Sequence, residues 1–336
     1  MIVTSTGIAV VDIIAADLPH IAQPGEVVFG PRGNAIHMGG HTCNVTVDLV
    51  QMGLKGKAVS AIISVGKDPL GDFLVNRLTK ARIVTHPLRS PRQTSSNLIL
   101  VAKGEDRRFH VDVGANLDLD PKRVSRILRQ DSPAVFHVGA AGWLGKLDDS
   151  LAQICAQART LNSITFTSII APYGKDWSFI TPALKHLDIF HCNNIEATAV
   201  TGKSDPVEAT EALVKAGVKV ALVTMGDKGL YARLPGQTVR LPAFTVDAVD
   251  PTGAGDAFCT GVMFKLATEP FRSILGRKNQ LSNLALDHWK EILTYASACG
   301  AACCTAPGTT TAVKPPIIQK MMREQSEHFT SKIAIL

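Results

Sequence analysis

The stretch Asp250-Pro251-Thr252-Gly253-Ala254-Gly255-Asp256-Ala257-Phe258 follows a strand-like run, Phe244–Ala248, and leads into the apolar helical segment Phe258–Ala267. Three small residues ahead of a helix let its first backbone N–H groups approach an anion closely, and the helix dipole adds to the attraction. Such a turn is a phosphate cradle. Asp256 falls in the first helical turn, where the positive end of the dipole keeps a carboxylate ionised and able to accept a proton. A base beside an anion hole is what phosphoryl transfer to an alcohol requires. The base orients and deprotonates the hydroxyl while the N–H groups stabilise the charge on the transferring group. Without its flanks, a G-x-G-D fragment would read as an ordinary glycine turn, because such turns are common.

Upstream of this stretch, from Ala134, short β-branched apolar runs alternate with longer helical patterns. The runs are Ala134–Val138, Ile164–Thr167, Leu187–His191 and Val218–Thr224, with helices after Leu147, from Pro206 and from Gly253. This alternation predicts right-handed βαβ units and an α/β fold with a mostly parallel central sheet covered on both faces. The first third differs. Ile2–Ile14 reads as a buried strand, and Val27–Phe29, Ala35–Met38, Thr94–Val101 and Arg108–Val113 are strand-like without helices between them. They predict a small antiparallel sheet apart from the main one, a lid or an edge extension. The chain reads as one domain, 1–336, with lid strands within about 13–38 and 94–113.

Composition bounds the function. Of 336 residues 46% are hydrophobic and 19% charged, as in an ordinary globular protein. The formal charge of +6 is scattered rather than gathered into a run, so no nucleic-acid partner is implied. Seven cysteines without paired spacing suggest neither a disulfide framework nor a zinc site, and Cys299, Cys303 and Cys304 read as small residues packing a helix. A reducing cytoplasm fits, and no apolar stretch is long enough to span a membrane. No G-x-G-x-x-G, Walker P-loop, H-E-x-x-H or G-x-S-x-G is present, which sets aside dinucleotide, P-loop, zinc-protease and serine-hydrolase readings.

With its flanks, Asp250–Phe258 resembles the C-terminal signature of the ribokinase family of carbohydrate kinases, D-[TP]-T-G-A-G-D-[AST]-F. Gly39-Gly40-His41-Thr42-Cys43-Asn44-Val45-Thr46, with Gly53 and then Gly66–Gly71, resembles a second family signature in the right order. The resemblance covers roughly residues 3 to 316 and implies a ribokinase-like fold with a β-sheet lid. It implies ATP-dependent phosphorylation of a small sugar or polyol, with Mg²⁺, room for a monovalent cation such as K⁺, and a homodimer through the lid. A nucleoside kinase of the same family is the alternative, and a non-catalytic sugar- or nucleotide-binding regulator is a third.

By this resemblance Asp256 is the catalytic base and Gly253, Ala254 and Gly255 form the anion hole. Asp12, Gly39, Gly40, Asn44 and Asn116 bind the substrate, where Asp12 and Asn44 suit sugar hydroxyls and the glycines allow close backbone approach. Asn193, Thr224, Gly226, Gly229 and Gly308 belong to the nucleotide, and Glu196 acts on Mg²⁺ through water. His41 stands where ribokinases often carry Lys, and its role is open between substrate contact and structure. Ser168 stands where many relatives carry an aspartate, so the sugar does not follow. A sugar-phosphate acceptor would want cations, for which Arg32, Arg92 and Arg107 are available.

Overall fold

The computed structural model describes every residue except Arg32, Asp106 and Arg277. Its strands are β1 (Val3–Gly7), β2 (Val10–Leu18), β3 (Asn34–Gly39), β4 (Val59–Val65), β5 (Val84–Arg89), β6 (Ser96–Ala102) and β7 (Arg108–Asp112). They continue with β8 (Val135–Ala141), β9 (Ile164–Ile169), β10 (Ile189–Asn193), β11 (Val220–Thr224), β12 (Leu230–Leu234), β13 (Gln237–Leu241) and β14 (Ala334–Ile335). Ten of these form one sheet in the order β14-β13-β12-β11-β10-β9-β8-β1-β4-β5, and β3-β2-β6-β7 form a second. From β11 to β5 every neighbouring pair is parallel, while β12, β13 and β14 extend the sheet antiparallel.

The parallel strands β1, β4, β8 and β9 are buried along their whole length because both faces are covered. Along β11, Val220 and Leu222 pack into one core and Ala221 and Val223 into the other, as the two-residue side-chain period requires. Helices His41–Gln51, Ala254–Ala267, Leu286–Cys303 and Pro315–Ser331 contribute to the first core; Pro121–Asp131, Leu151–Thr160 and Pro206–Lys215 contribute to the second. Three helices open on Asp-Pro pairs: the carboxylates of Asp68, Asp120 and Asp205 accept first-turn N–H groups, while the proline at the first helical position needs none.

Several expectations are corrected. Ile2–Ile14 is two strands, β1 in the main sheet and β2 in the small one, so Asp12 belongs to the lid. Val27–Phe29 forms no strand: Val27 and Phe29 are 74% and 84% exposed in the connection between β2 and β3, with no ladder partner. Phe244–Ala248 is also irregular, because the chain leaves the sheet after β13 and Phe244 instead stacks on Phe329 at 4.3 Å. The small sheet is mixed, since β2 and β6 run parallel while β3 and β7 flank them antiparallel. No described helix is long and apolar enough to cross a membrane.

Candidate active site

Asp256 lies in the first turn of helix Ala254–Ala267 and is 4% exposed. That helix has Gly253 as its N-cap and no side-chain cap, so its first-turn N–H groups are left without partners from a capping residue. Gly253 has φ +83°, and a Cβ there would lie 2.8 Å from Thr309 Cβ, so glycine is required on two counts. Both oxygens of Asp256 are engaged: His41 Nε2 is 3.0 Å from Oδ1, and Asn44 Nδ2 donates to Oδ2 at 2.8 Å. Asn44 Oδ1 accepts from Thr309 Oγ1 at 2.8 Å, which fixes the amide orientation. Burial would raise the Asp256 carboxyl, but the His41 charge and the bonds from His41 and Asn44 outweigh it and hold the group below its ordinary value.

His41 and Asn44 come from the first turn of helix His41–Gln51, which starts earlier than a helix capped by Asn44 would. Gly40 precedes it with φ +90°, and a Cβ there would lie 2.6 Å from the Ile8 carbonyl oxygen. A Cβ on Gly39 would collide with the Asp12 carboxylate, so both glycines are needed for close approach.

Asp12 sits on β2 opposite Asn97 of β6 and accepts from Asn97 Nδ2 at 3.1 Å. Burial pushes its carboxyl up to about 6; the Asn97 bond opposes this and the charges of Asp250 and Asp256 reinforce it. Asp12, Asn44 and Asp256 line one cavity of about 780 Å³ together with Gly40, Gly253, Ala254 and Gly255.

The same cavity reaches Asn193, Glu196, Thr224, Gly226 and Gly229. Asn193 caps helix Asn194–Thr201, with its side chain accepting from Glu196 N at 2.9 Å while Glu196 Oε2 accepts from Asn193 N at 2.8 Å. Burial raises the Glu196 carboxyl against the Asn193 bond and the His41 charge. Thr224 ends β11 with Oγ1 3.2 Å from His191 Nε2.

Three assigned residues lie elsewhere. Gly39 lines neither cavity and is packed against the Asp12 carboxylate. Asn116 is fully buried with both ends of its amide on the Ala9 backbone, at 3.1 and 3.2 Å, so it ties the lid strand's origin to the chain after β7 and lines neither cavity. Gly308 lines a smaller cavity of about 490 Å³ beneath the lid, next to Asp12 and Asp250, rather than the long cavity. Of the three arginines, Arg92 faces Asp118 at 3.4 Å, Arg107 pairs with Asp250 at 2.5 Å, and Arg32 lies outside the described residues. Asn97 and Thr309, which sequence reading missed, hold Asp12 and Asn44 in place; for Asn97 the strand register was the only available signal.

All seven cysteines are free, and among the described residues no three His, Cys, Asp or Glu side chains are grouped to hold a metal.

A separate small sheet whose Asp12 shares one cavity with a carboxylate in the first turn of an uncapped helix is an arrangement suited to phosphoryl transfer. The model of the pfkB family carbohydrate kinases matches residues 3–315. The chain belongs to that family and is a carbohydrate kinase. It is 26% identical over 261 residues to a ribokinase of Haemophilus influenzae, covering 75% of this chain and 81% of that one. It is 25% identical over 344 residues to a probable fructokinase of Arabidopsis thaliana, covering 93% and 100%. The structure of ribokinase from Giardia lamblia superposes with a TM-score of 0.80 at 19% identity, over 96% of this chain and 99% of that one, which establishes the ribokinase-like fold.

Proposed function

We propose that this kinase transfers the γ-phosphoryl group of ATP to a hydroxyl of a small sugar or polyol, with Asp256 as the base. The observation that carries the reading is the position of Asp256: a buried carboxylate, held ionised by His41 and Asn44, in the first turn of an uncapped helix on the wall of a long cavity. In this reading the sugar lies at Asp12, Gly40 and Asn44, and the nucleotide extends past Asn193 towards Thr224, Gly226 and Gly229. Asp256 takes the hydroxyl proton while the acceptor oxygen bonds to phosphorus and the bridging P–O bond to the leaving diphosphate breaks. The N–H groups after Gly253 take up charge on the transferring group. Closure of the lid over the acceptor excludes water, which would otherwise receive the phosphoryl group.

The residues present suit a magnesium ion that arrives with the phosphates, because Mg²⁺ keeps several waters and needs only one or two carboxylates. Glu196 is half-buried on the cavity wall and would hold it through that water shell, where it would supply charge neutralisation.

A second reading, a nucleoside acceptor, draws on the smaller cavity. It adjoins Asp12 and is lined by Ile14, Met38, Ile99 and Val101, an apolar wall that would suit a base. The test is coupled ADP release with Mg-ATP across pentoses, hexoses, cyclitols, nucleosides and sugar phosphates. Turnover with a sugar or cyclitol supports the first reading. Turnover with nucleosides alone replaces it by the second, and no turnover with any acceptor while ATP binds contradicts both.

A further inference from the structure

In the reading above the long cavity receives the polyanionic ATP, yet among the described residues no Lys or Arg lines it. Four acids do: Asp12, Glu196, Asp227 and Asp256. Two histidines are the remaining side chains on its wall that can carry positive charge, His41 and His191. Burial pushes His191 down to about 4, with the His41 charge adding to the effect, so it is neutral near pH 7. His41 is the opposite case. Burial alone would lower it, but the charge and hydrogen bond of Asp256, with the charge of Glu196, carry it above its ordinary value. Its side chain is 24% exposed at the first position of helix His41–Gln51, and Nε2 is 3.0 Å from the carboxylate that the reading above assigns as base. One ring nitrogen is thereby engaged. In the imidazolium form both nitrogens donate, so this cavity-lining ring can serve a second acceptor through Nδ1–H.

We propose that His41, as the imidazolium, is a catalytic residue that donates from Nδ1 to the transferring phosphoryl group while its Nε2–H holds Asp256. This rests on the reading of Asp256 as base. The hydroxyl proton passes to Asp256, the new P–O bond forms as the bridging bond breaks, and His41 keeps its proton throughout. The neutral ring has one N–H and serves only one of the two partners. Other titratable groups coupled to it are Asp256 on the adjoining helix, Glu196, His137 on β8 and His191 on β10. Burial pushes His137 to about 3 and it bonds Ser5 Oγ at 2.9 Å, so neither it nor His191 substitutes for His41 as a cation.

The cationic form is present below the His41 midpoint, which lies above the usual imidazole value of roughly 6.5, and it is lost as pH rises through that midpoint. Activity therefore falls on the alkaline side. His41→Gln lowers kcat on the order of 10²-fold at neutral pH and removes the alkaline limb, whereas His41→Lys retains activity and carries it to higher pH. The direct test needs no turnover: the imidazole resonances of the wild-type protein are titrated by NMR alone, with Mg-ADP, and with a Mg-bound non-hydrolysable ATP analogue. The analogue raising the His41 midpoint more than ADP supports the proposal. An equal effect of both, no effect of either, or wild-type kcat and pH profile in His41→Gln overturns it. Failure of the base assignment is read separately, from turnover by Asp256→Asn, because the NMR titration does not depend on that residue acting as base.

Discussion

Asp12 and Asp256 are both buried, line the same cavity and belong to the same residue type, yet their surroundings drive them in opposite directions. Asp12 has one amide donor and two acidic neighbours, and burial wins: its carboxyl rises to about 6. Asp256 has His41 on one oxygen and Asn44 on the other, which outweigh the unfavourable burial. The difference shows that exposure does not set the behaviour of a buried carboxylate; the donors and charges within reach do. It also suits the proposed division of labour, in which Asp256 is an ionised base and Asp12 a hydroxyl-binding group.

The largest effect that would break this contrast is on stability. Ionising Asp12 against a carboxyl raised from 3.8 to about 6 costs on the order of 3 kcal/mol. The unfolded chain releases this proton first, so the Asp12 contribution to stability declines as pH climbs from about 4 to about 6. Asp256 has the reverse sign: its contribution is present above its unfolded value and lost as pH falls through its lower folded value. At pH 7.5 Asp12→Asn should therefore raise Tm, while Asp256→Asn should lower it by removing the charged hydrogen bond to His41, worth about 1.5–3 kcal/mol. Calorimetric melting of both variants checks the signs, and shifts in the same direction would remove the contrast.

Asn44→Ala takes one donor from Asp256 and the acceptor from Thr309. A bond to a charged group contributes about 1.5–3 kcal/mol, so kcat should fall roughly tenfold or more. The acid limb of its pH profile should also move to higher pH, because the Asn44 bond is among those holding Asp256 low. An unmoved limb would mean that His41 alone sets the carboxylate.

Gly253→Ala places a side chain at φ +83° and against Thr309. A left-handed conformation costs a non-glycine residue about 1–2 kcal/mol. Turnover should suffer with stability, which steady-state kinetics beside thermal melting will separate.

Smallest is Asn97→Ala, worth about 1 kcal/mol of hydrogen bonding. It removes the bond that lowers Asp12, so the acid limb of kcat/KM for the acceptor should rise above pH 6 while kcat at neutral pH stays near wild type.

What could be read from the chain follows the distance over which each feature is specified. Gly253–Asp256 is contiguous, and its role as an uncapped helix start depends only on local backbone geometry, so the sequence revealed it with its helix. Much of the parallel sheet was equally legible, because strands such as β8 and β11, buried on both faces, are near-continuous apolar runs. Phe244–Ala248 has the same appearance without being a strand, since an apolar run along a cavity wall and against a terminal helix is composed alike. The partners of the site lie far along the chain: Asn97 is 85 residues from Asp12, and Thr309 is 265 from Asn44. Only sheet register and helix packing bring them together. Asn116 illustrates a related point, since a buried amide bonding the Ala9 backbone and one bonding a ligand are the same residue in a sequence.

The most direct test of the central claim is a rapid-quench measurement of phosphoryl transfer by wild type and Asp256→Asn, with ATP binding quantified in the same samples. The account predicts that the variant binds ATP as the wild type does while transfer to the acceptor falls by about 10²–10⁴-fold. Transfer at the wild-type rate with ATP bound would contradict it and return Asp256 to the role of an ordinary helix-start residue.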